Sequence, residues 1–350
     1  MKTVKDFNVR QKRVLLRCDF NVPLSKEGDI SDDFRISQTL PTIEYLLSNS
    51  AKVILMSHLG DPKGKAIEKF KLDKIQEKLI EFLDISVTKA PDCVGRGIQK
   101  WTESMRGGEV LLLENLRFHK EEEDNDGVFA KQLASLGDIY FNDAFGVCHR
   151  AHASVAGVPE YLPAGAGFLL EKEIKVLDNL IKKPERPLIA IIGGVKVETK
   201  SRLIDKISQT ADFVLVGGLI QKEIKEKNIT FKYPEKIVAP VGSGDSRDIN
   251  EETVELFREK ILKAKTVFWN GPLGKFEEEK FSKGTLAVAR ASIASGAVSV
   301  VGGGETIDFI NQANMTDKFN HVSTGGGAML AYMSGDELPG LQALRGRGGR

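Results

Sequence analysis

Residues 141–154, FNDAFGVCHRAHAS, crowd His149, Arg150 and His152 behind an aromatic, strand-like run. Three other apolar runs end in the same way: RCDFN carries Arg17, Asp19 and Asn21, SHLG carries Ser57 and His58, and ENLRFH carries Arg117 and His119, while Arg35 opens the first amphipathic stretch. In open α/β sheets the ligand crevice lies beyond the carboxyl ends of the strands, so cationic groups at such ends describe a site for a small, multiply charged anion. Any one of these arginines would as readily be a surface salt bridge. Four of them at or beside strand or helix ends make the anion reading the stronger one. Cys148 with His149 and His152 suggests zinc, but the chain has only five histidines and no second cluster with ligand spacing, so metal is the minor reading. The run KEEEDNDG (120–127) lacks alternating ligand spacing and reads as a solvated turn, and His119 and His321 read as hydrogen-bonded core or rim residues.

The second half of the chain ends its apolar runs in glycine instead. GGVKVETK (193–200), VGGLI (216–220), WNGPLGKFE (269–277), VGGGETID (301–308) and STGGGAML (323–330) leave bare backbone N–H groups beside helix starts, where phosphates bind. None has the G-x-x-x-x-G-K-[ST] form, and none is a dinucleotide fingerprint with its acidic partner, which counts against a Rossmann dehydrogenase. One such loop would be explained by steric need alone; five in one half-chain are not.

These groups need strand ends to stand on. Apolar runs at 13–20, 52–59, 109–116, 139–145, 187–194, 213–218, 236–240, 266–271, 298–304 and 321–327 alternate with amphipathic stretches, clearest at 34–48, 71–83, 168–182, 250–263 and 278–294. That alternation predicts an α/β fold with two Rossmann-like domains, parallel sheets covered by helices and a linking helix between them. The expected division is a first domain at 1–167, the linking helix at 168–183, a second domain at 184–328, and a C-terminal segment, 329–350, that returns to the first domain and ends in a flexible, glycine- and arginine-rich tail. Fifty basic against forty-nine acidic residues leave a net charge of +1, which gives no global field for nucleic acid or anionic membrane. Three widely spaced cysteines, no apolar leader and no long apolar run predict a cytoplasmic protein.

An anion wall in one half and a phosphate wall in the other suggest phosphoryl transfer, which needs positioning and charge compensation more than covalent chemistry. The segments RVLLRCDFNVPL, SHLG, LLLENLRFH, NDAFGVCHRAHAS, IIGGVKVETK, WNGPLGKFE, GGGET, HVSTGGGAML and LPGLQAL, in this order over almost the whole chain, closely resemble phosphoglycerate kinases. The resemblance implies reversible transfer between 1,3-bisphosphoglycerate and Mg-ADP, domain closure about the connector, no phosphoenzyme, Mg²⁺ with ATP or ADP as co-substrate, small-molecule partners only and a monomer. It implies that Arg17, Arg35, His58, Arg117, His149, Arg150 and His152 surround 3-phosphoglycerate, with Asp19 and Asn21 on its hydroxyl and carboxylate. On the nucleotide side it implies Gly194, Lys196, Lys200, Gly217, Gly218, Asn270, Pro272, Glu277, Gly303, Gly304, Glu305 and Thr306. Within these sets Arg35, Lys196 and Lys200 would be catalytic, Glu277 would meet the ribose and Glu305 the metal.

The chain departs from the family pattern in four places. Asp61 stands where arginine usually follows SHLG, Glu305 replaces an aspartate, Thr199 replaces another, and the stretch from VGGLI to WNGP is roughly half its usual length, with Lys275 in a usually apolar place. The sequence therefore admits a rival, a family member that binds phosphoglycerate or nucleotide without efficient transfer. Arg35 and Lys196, one cation on each side of the moving group, favour catalysis.

Overall fold

A computed structural model describes residues 1–195, 197–243 and 245–345, so Lys196 and the glycine- and arginine-rich end at 346–350 lie outside the described residues. The chain divides into two compact units, Met1–Glu173 with the chain from Glu337 onward, and Ile174–Asp336.

Unit 1 is built on six parallel strands, β1 (Arg13–Arg17), β2 (Lys52–Met56), β3 (Val87–Lys89), β4 (Val110–Leu112), β5 (Ile139–Asn142) and β6 (Ala164–Ala166), in the order β3-β4-β2-β1-β5-β6. Around them lie α1 (Phe34–Ser48), α2 (Asp73–Leu83), α3 (Arg96–Ser104), the single turn α4 (Lys120–Glu123) and α5 (Gly127–Ala134). Helices on both faces explain why β1, β2 and β5 are apolar along their length: Val14, Leu16, Leu55 and Phe141 are inaccessible to solvent and pack with Ile36 and Ile43 of α1. Connections from β1 run to one side of the sheet and those from β5 to the other, so the β1–β5 boundary is the topological switch point.

Next, α6 (Phe168–Lys182) runs across the division between the units. Unit 2 repeats the plan with β7 (Leu188–Ile192), β8 (Phe213–Val216), β9 (Ile237–Val238), β10 (Thr266–Asn270), β11 (Val298–Gly302) and β12 (His321–Val322), all parallel and ordered β12-β11-β10-β7-β8-β9. Its helices are α7 (Val197–Ile207), α8 (Gly218–Glu226), α9 (Glu251–Ile261), α10 (Lys283–Ala294), α11 (Gly304–Gln312) and α12 (Gly326–Met333). The Asn250 side chain caps α9 by accepting from the Thr253 N–H at 2.8 Å, and the switch point here is the β7–β10 boundary. Finally α13 (Pro339–Arg345) packs in unit 1, where the Gly340 N–H donates to the Cys148 carbonyl at 3.0 Å.

Two strands were not anticipated, β3 and β6, and several expected strands end early because their glycines already belong to the turn or to the next helix. The run 321–327 is strand only over His321–Val322, and α12 begins at Gly326. Among the described residues no helix is long and apolar enough to cross a membrane.

Candidate functional site

In unit 1 the switch point carries the basic residues. Arg17 ends β1 but lies completely buried: its guanidinium donates to the Cys18 carbonyl, to Ser154 Oγ at 2.7 Å, and meets His58 Nδ1 at 3.2 Å. It therefore supports the patch from beneath. Arg35, on the first turn of α1, is partly exposed and is aimed by the Asn21 carbonyl at 2.8 Å and by Asp19 Oδ2 at 3.4 Å. The Asn21 side chain accepts from the Gly60 N–H at 2.8 Å, which joins the turn after β1 to the turn after β2.

Arg117 sits in a tight turn, Leu116–Phe118, fixed by Asn115, whose side chain accepts from the Arg117 N–H and donates to the carbonyls of Leu59 and Phe70. One Arg117 nitrogen donates to the Gly60 carbonyl at 2.8 Å. Burial lowers the Arg117 pKa, and the Arg150 charge adds to the effect. Arg150 is exposed and donates to His149 Nε2 at 3.4 Å.

The imidazoles do not contribute charge. Burial, then the neighbouring guanidiniums of Arg17, Arg117 and Arg35, hold His58 far below the usual histidine range. His149 is lowered by burial and by Arg150, and His152 is pushed down to about 3 by burial and then by Arg117, Arg17 and Arg150. At neutral pH these rings are hydrogen-bonding groups, and the positive field belongs to the arginines. Asp61 is exposed at the rim, close enough that its charge opposes the lowering of Arg117.

Beneath the patch lies a residue that the sequence reading assigned to a solvated turn. Glu122 is fully buried, accepts from Ser154 N at 2.9 Å and Ser154 Oγ at 2.6 Å, and stands 4.0 Å from Arg17 Nη2 and 3.9 Å from His152 Nδ1. It is the counter-charge of the wall. Its neighbours Glu121 and Glu123 are more exposed, so a run of acidic residues hides one that points inward.

Unit 2 presents a crevice of about 410 Å³ at the ends of β7, β10 and β11. Gly194, Lys200, Asn270, Gly303, Gly304, Glu305 and Thr306 all line it, together with Gly326 and Gly327 at the start of α12, which the sequence left among the glycine loops without a role. The Lys200 ammonium bonds Asn270 Oδ1, and burial lowers its pKa to about 8 against the opposing pull of Glu305. Gly271 and Gly303 have φ near +97° and +99°, a region other residues rarely adopt. A side chain at Gly271 would collide with the Gly193 backbone, so the turns after β7 and β10 touch only because both are bare. Buried Thr306 at the start of α11 accepts from the Gly271 N–H at 2.8 Å, fixing the third loop to them.

The remaining expected residues are not in this lining. Pro272 is buried, and its carbonyl accepts from the Gly194 N–H at 2.8 Å. Glu277 is exposed on the turn after β10, and Gly218 lines a separate cavity of about 270 Å³, with Ser246 against it and Gly217 just before it in the chain.

A model of the family described as phosphoglycerate kinase matches residues 4–230 and 227–336. The chain is similar to the phosphoglycerate kinases of Chlorobium limicola and Borrelia hermsii, each 42% identical over 98% of this chain and 99% of theirs. Among solved structures it is similar to phosphoglycerate kinase from Coxiella burnetii (TM-score 0.85, 32% identity, 99% of each chain) and from Pyrococcus horikoshii (TM-score 0.86, 34% identity, 99% of this chain and 98% of that one). The aligned span of 392 positions with the Chlorobium protein exceeds the 350 residues of this chain, and the family match breaks at 227–230, directly after α8. The shortening between VGGLI and WNGP therefore falls at that point.

Proposed function

The chain belongs to the phosphoglycerate kinase family, and on that premise we propose how its two walls share the family's reaction. It is a phosphotransferase of glycolysis that moves a phosphoryl group reversibly between 1,3-bisphosphoglycerate and ADP, giving 3-phosphoglycerate and ATP.

Unit 1 is the phosphoglycerate domain and unit 2 the nucleotide domain, with α6 as the linking helix. Arg35, Arg117 and Arg150 take the charges of phosphoglycerate, while Asp19 and Asn21 meet its hydroxyl and carboxylate. His58, His149 and His152 serve as neutral hydrogen-bonding groups, and Arg17 holds them in place. In unit 2 the amides around Gly194, Gly303 and Gly304, with Asn270 and Thr306, cradle the nucleotide phosphates. Lys200 neutralises them and Lys196 follows the transferring group. Gly217, Gly218, Pro272 and Glu277 lie on the nucleoside side, with Glu277 at the ribose.

Glu305 is exposed on the first turn of α11 in the same crevice as Lys200. One free carboxylate beside phosphate oxygens suits Mg²⁺, which keeps several waters and takes few protein ligands. When bound, Mg²⁺ supplies positive charge to the phosphates. The chain's own groups do the rest. A carboxylate oxygen of 3-phosphoglycerate attacks the terminal phosphorus of ATP in line, the bond to the ADP oxygen breaks, and ADP leaves. After the units close, Arg35 from one side and Lys196 with Lys200 from the other offset the charge on the three equatorial oxygens. We also infer a monomer that works in the cytoplasm on small molecules alone.

The observation that carries this reading is the half-buried Lys200 ammonium, held on Asn270 inside a crevice walled by glycine loops. A coupled assay tests it. Lys200→Ala is expected to lower turnover by ~10²–10³-fold with little change in KM for 3-phosphoglycerate, whereas Arg35→Ala lowers turnover and raises that KM. Wild-type turnover in Lys200→Ala would remove the nucleotide assignment.

A further inference from the structure

Away from the phosphoryl-transfer groups, three potential ligands of different chemistry converge on one face of unit 1. Asp92 and Cys93 lie in the bend after β3, and His119 closes the turn that carries Arg117 and then opens α4. Their ligating atoms, Asp92 Oδ, Cys93 Sγ and an imidazole nitrogen of His119, all lie within 4.8 Å of one another. None is used by the reaction derived above.

Each ligand is already held. Asp92 Oδ1 accepts from the Cys93 N–H at 2.7 Å and pairs with His119 Nε2 at 2.6 Å. The imidazole stacks on Phe129, with ring centroids 5.2 Å apart and planes 29° apart, which limits its swing. The two loops are tied independently of these side chains, because the Glu114 N–H donates to the Asp92 carbonyl at 3.3 Å. The Cys93 thiol is buried, but Asp92 is half exposed, so the cluster is dry on one side and open on the other. That is the form of a site with three protein ligands and a fourth position left to water.

We propose that Asp92, Cys93 and His119 form a binding site for a zinc-class divalent cation. The donor set selects the ion: a thiolate with an imidazole suits borderline-soft Zn²⁺ or Co²⁺, whereas hard Mg²⁺ and Ca²⁺ prefer all-oxygen shells. Bond lengths of about 2.0–2.3 Å place tetrahedral ligand atoms roughly 3.3–3.6 Å apart. The Asp92–His119 contact opens by under about 1 Å to admit the ion, and the thiol proton leaves to solvent as the Cys93 sulfur turns in. Because His119 lies two residues beyond Arg117 and at the N-terminal end of the turn carrying Glu122, the bound ion pins both to the bend after β3. The site is thus a clamp on the arginine wall. It does not depend on the identity of the phosphoryl donor or acceptor.

The test uses the full-length protein freed of metal by a chelator and titrated with Co²⁺. One equivalent is expected to produce a thiolate-to-cobalt charge-transfer band and the intense visible bands of tetrahedral Co²⁺, both erased by added Zn²⁺. Cys93→Ser should lose the charge-transfer band, Cys148→Ser should keep it, and His119→Ala should bind Co²⁺ at least ~10-fold more weakly. Zn²⁺ should raise the unfolding midpoint of the wild type and leave that of His119→Ala unchanged, a readout that survives if Cys93→Ser folds poorly. Absence of the bands in wild type, their persistence in Cys93→Ser, or an equal midpoint shift in His119→Ala overturns the proposal.

Discussion

At the β1–β5 boundary the groups facing the crevice are guanidinium and imidazole; at the β7–β10 boundary they are, among the described residues, peptide N–H groups and one ammonium. Both sit at the switch point of a parallel six-stranded sheet, so topology alone does not distinguish them. What differs is how rigidity is obtained. An arginine brings rotamer freedom that must be suppressed before it can hold an anion in one place, and unit 1 does so with a buried layer of Glu122, Ser154, Asn115 and Asp19. Unit 2 needs no such layer. Its donors belong to the backbone, and their direction is set by glycine conformations and by the contact of bare turns. A wall of side chains is therefore sensitive to what lies beneath it, and a wall of backbone is sensitive to any added Cβ.

The sharpest way to break this contrast is to remove the buried support. Glu122→Ala leaves Arg17 without the carboxylate that lies 4.0 Å from its Nη2 and is expected to cost ~3–5 kcal/mol of stability in chemical denaturation, with Glu122→Gln losing less because it keeps an acceptor for Ser154. A Glu122→Ala protein as stable as wild type would mean that Arg17 is held by Ser154 and Cys18 alone. The Lys200 ammonium of the other wall is tested by pH. Lys200 titrates at about 8, so its positive form is lost as pH rises through that value. The kcat/KM for nucleotide, which reports the free enzyme, should fall by up to ~10-fold per pH unit above it, and Lys200→Arg should abolish that limb. An unchanged limb in the variant would assign the titration elsewhere.

A milder probe adds one methyl group to the backbone wall. Gly303→Ala meets a φ near +99°, a strain of ~1–3 kcal/mol, and should raise KM for ADP by ~10-fold while leaving KM for 3-phosphoglycerate alone. The smallest expected effect is at the rim of the arginine wall. Asp61→Arg replaces an exposed anion near Arg117, and phosphoglycerate affinity should rise by a few-fold at low salt and lose most of that gain at high salt. Salt-independent tightening would indicate a direct contact instead of a field effect.

Much of the architecture is legible in the residues, and the exceptions have physical causes. The stretches 34–48 and 168–182 carry enough apolar periodicity to mark α1 and α6 at both ends. By contrast β3 has three residues, of which only Val87 is buried, and β6 is Ala-Gly-Ala, so neither has a side-chain pattern to read. The glycine loops announce the phosphate crevice because backbone exposure is written in composition. Glu122 misleads because a buried carboxylate is of a residue type that normally faces water, and only the long-range packing of Ser154 against it and Arg17 reverses that expectation. Likewise the three histidines read as cations until the nearby arginines are placed, since a pKa depends on neighbours that sequence separates by dozens of residues.

Unit 1 is discontinuous. Its helix α13 follows the whole of unit 2 in the chain, and Gly340 lies so close to Cys148 and Val155 that a side chain there would strike both. Every residue of unit 2 is made before the helix that covers the segment around Cys148 and residues 153–157. The half of the enzyme that is made first is thus the half that finishes later, and released chains truncated just before Pro339 should expose that segment to proteases.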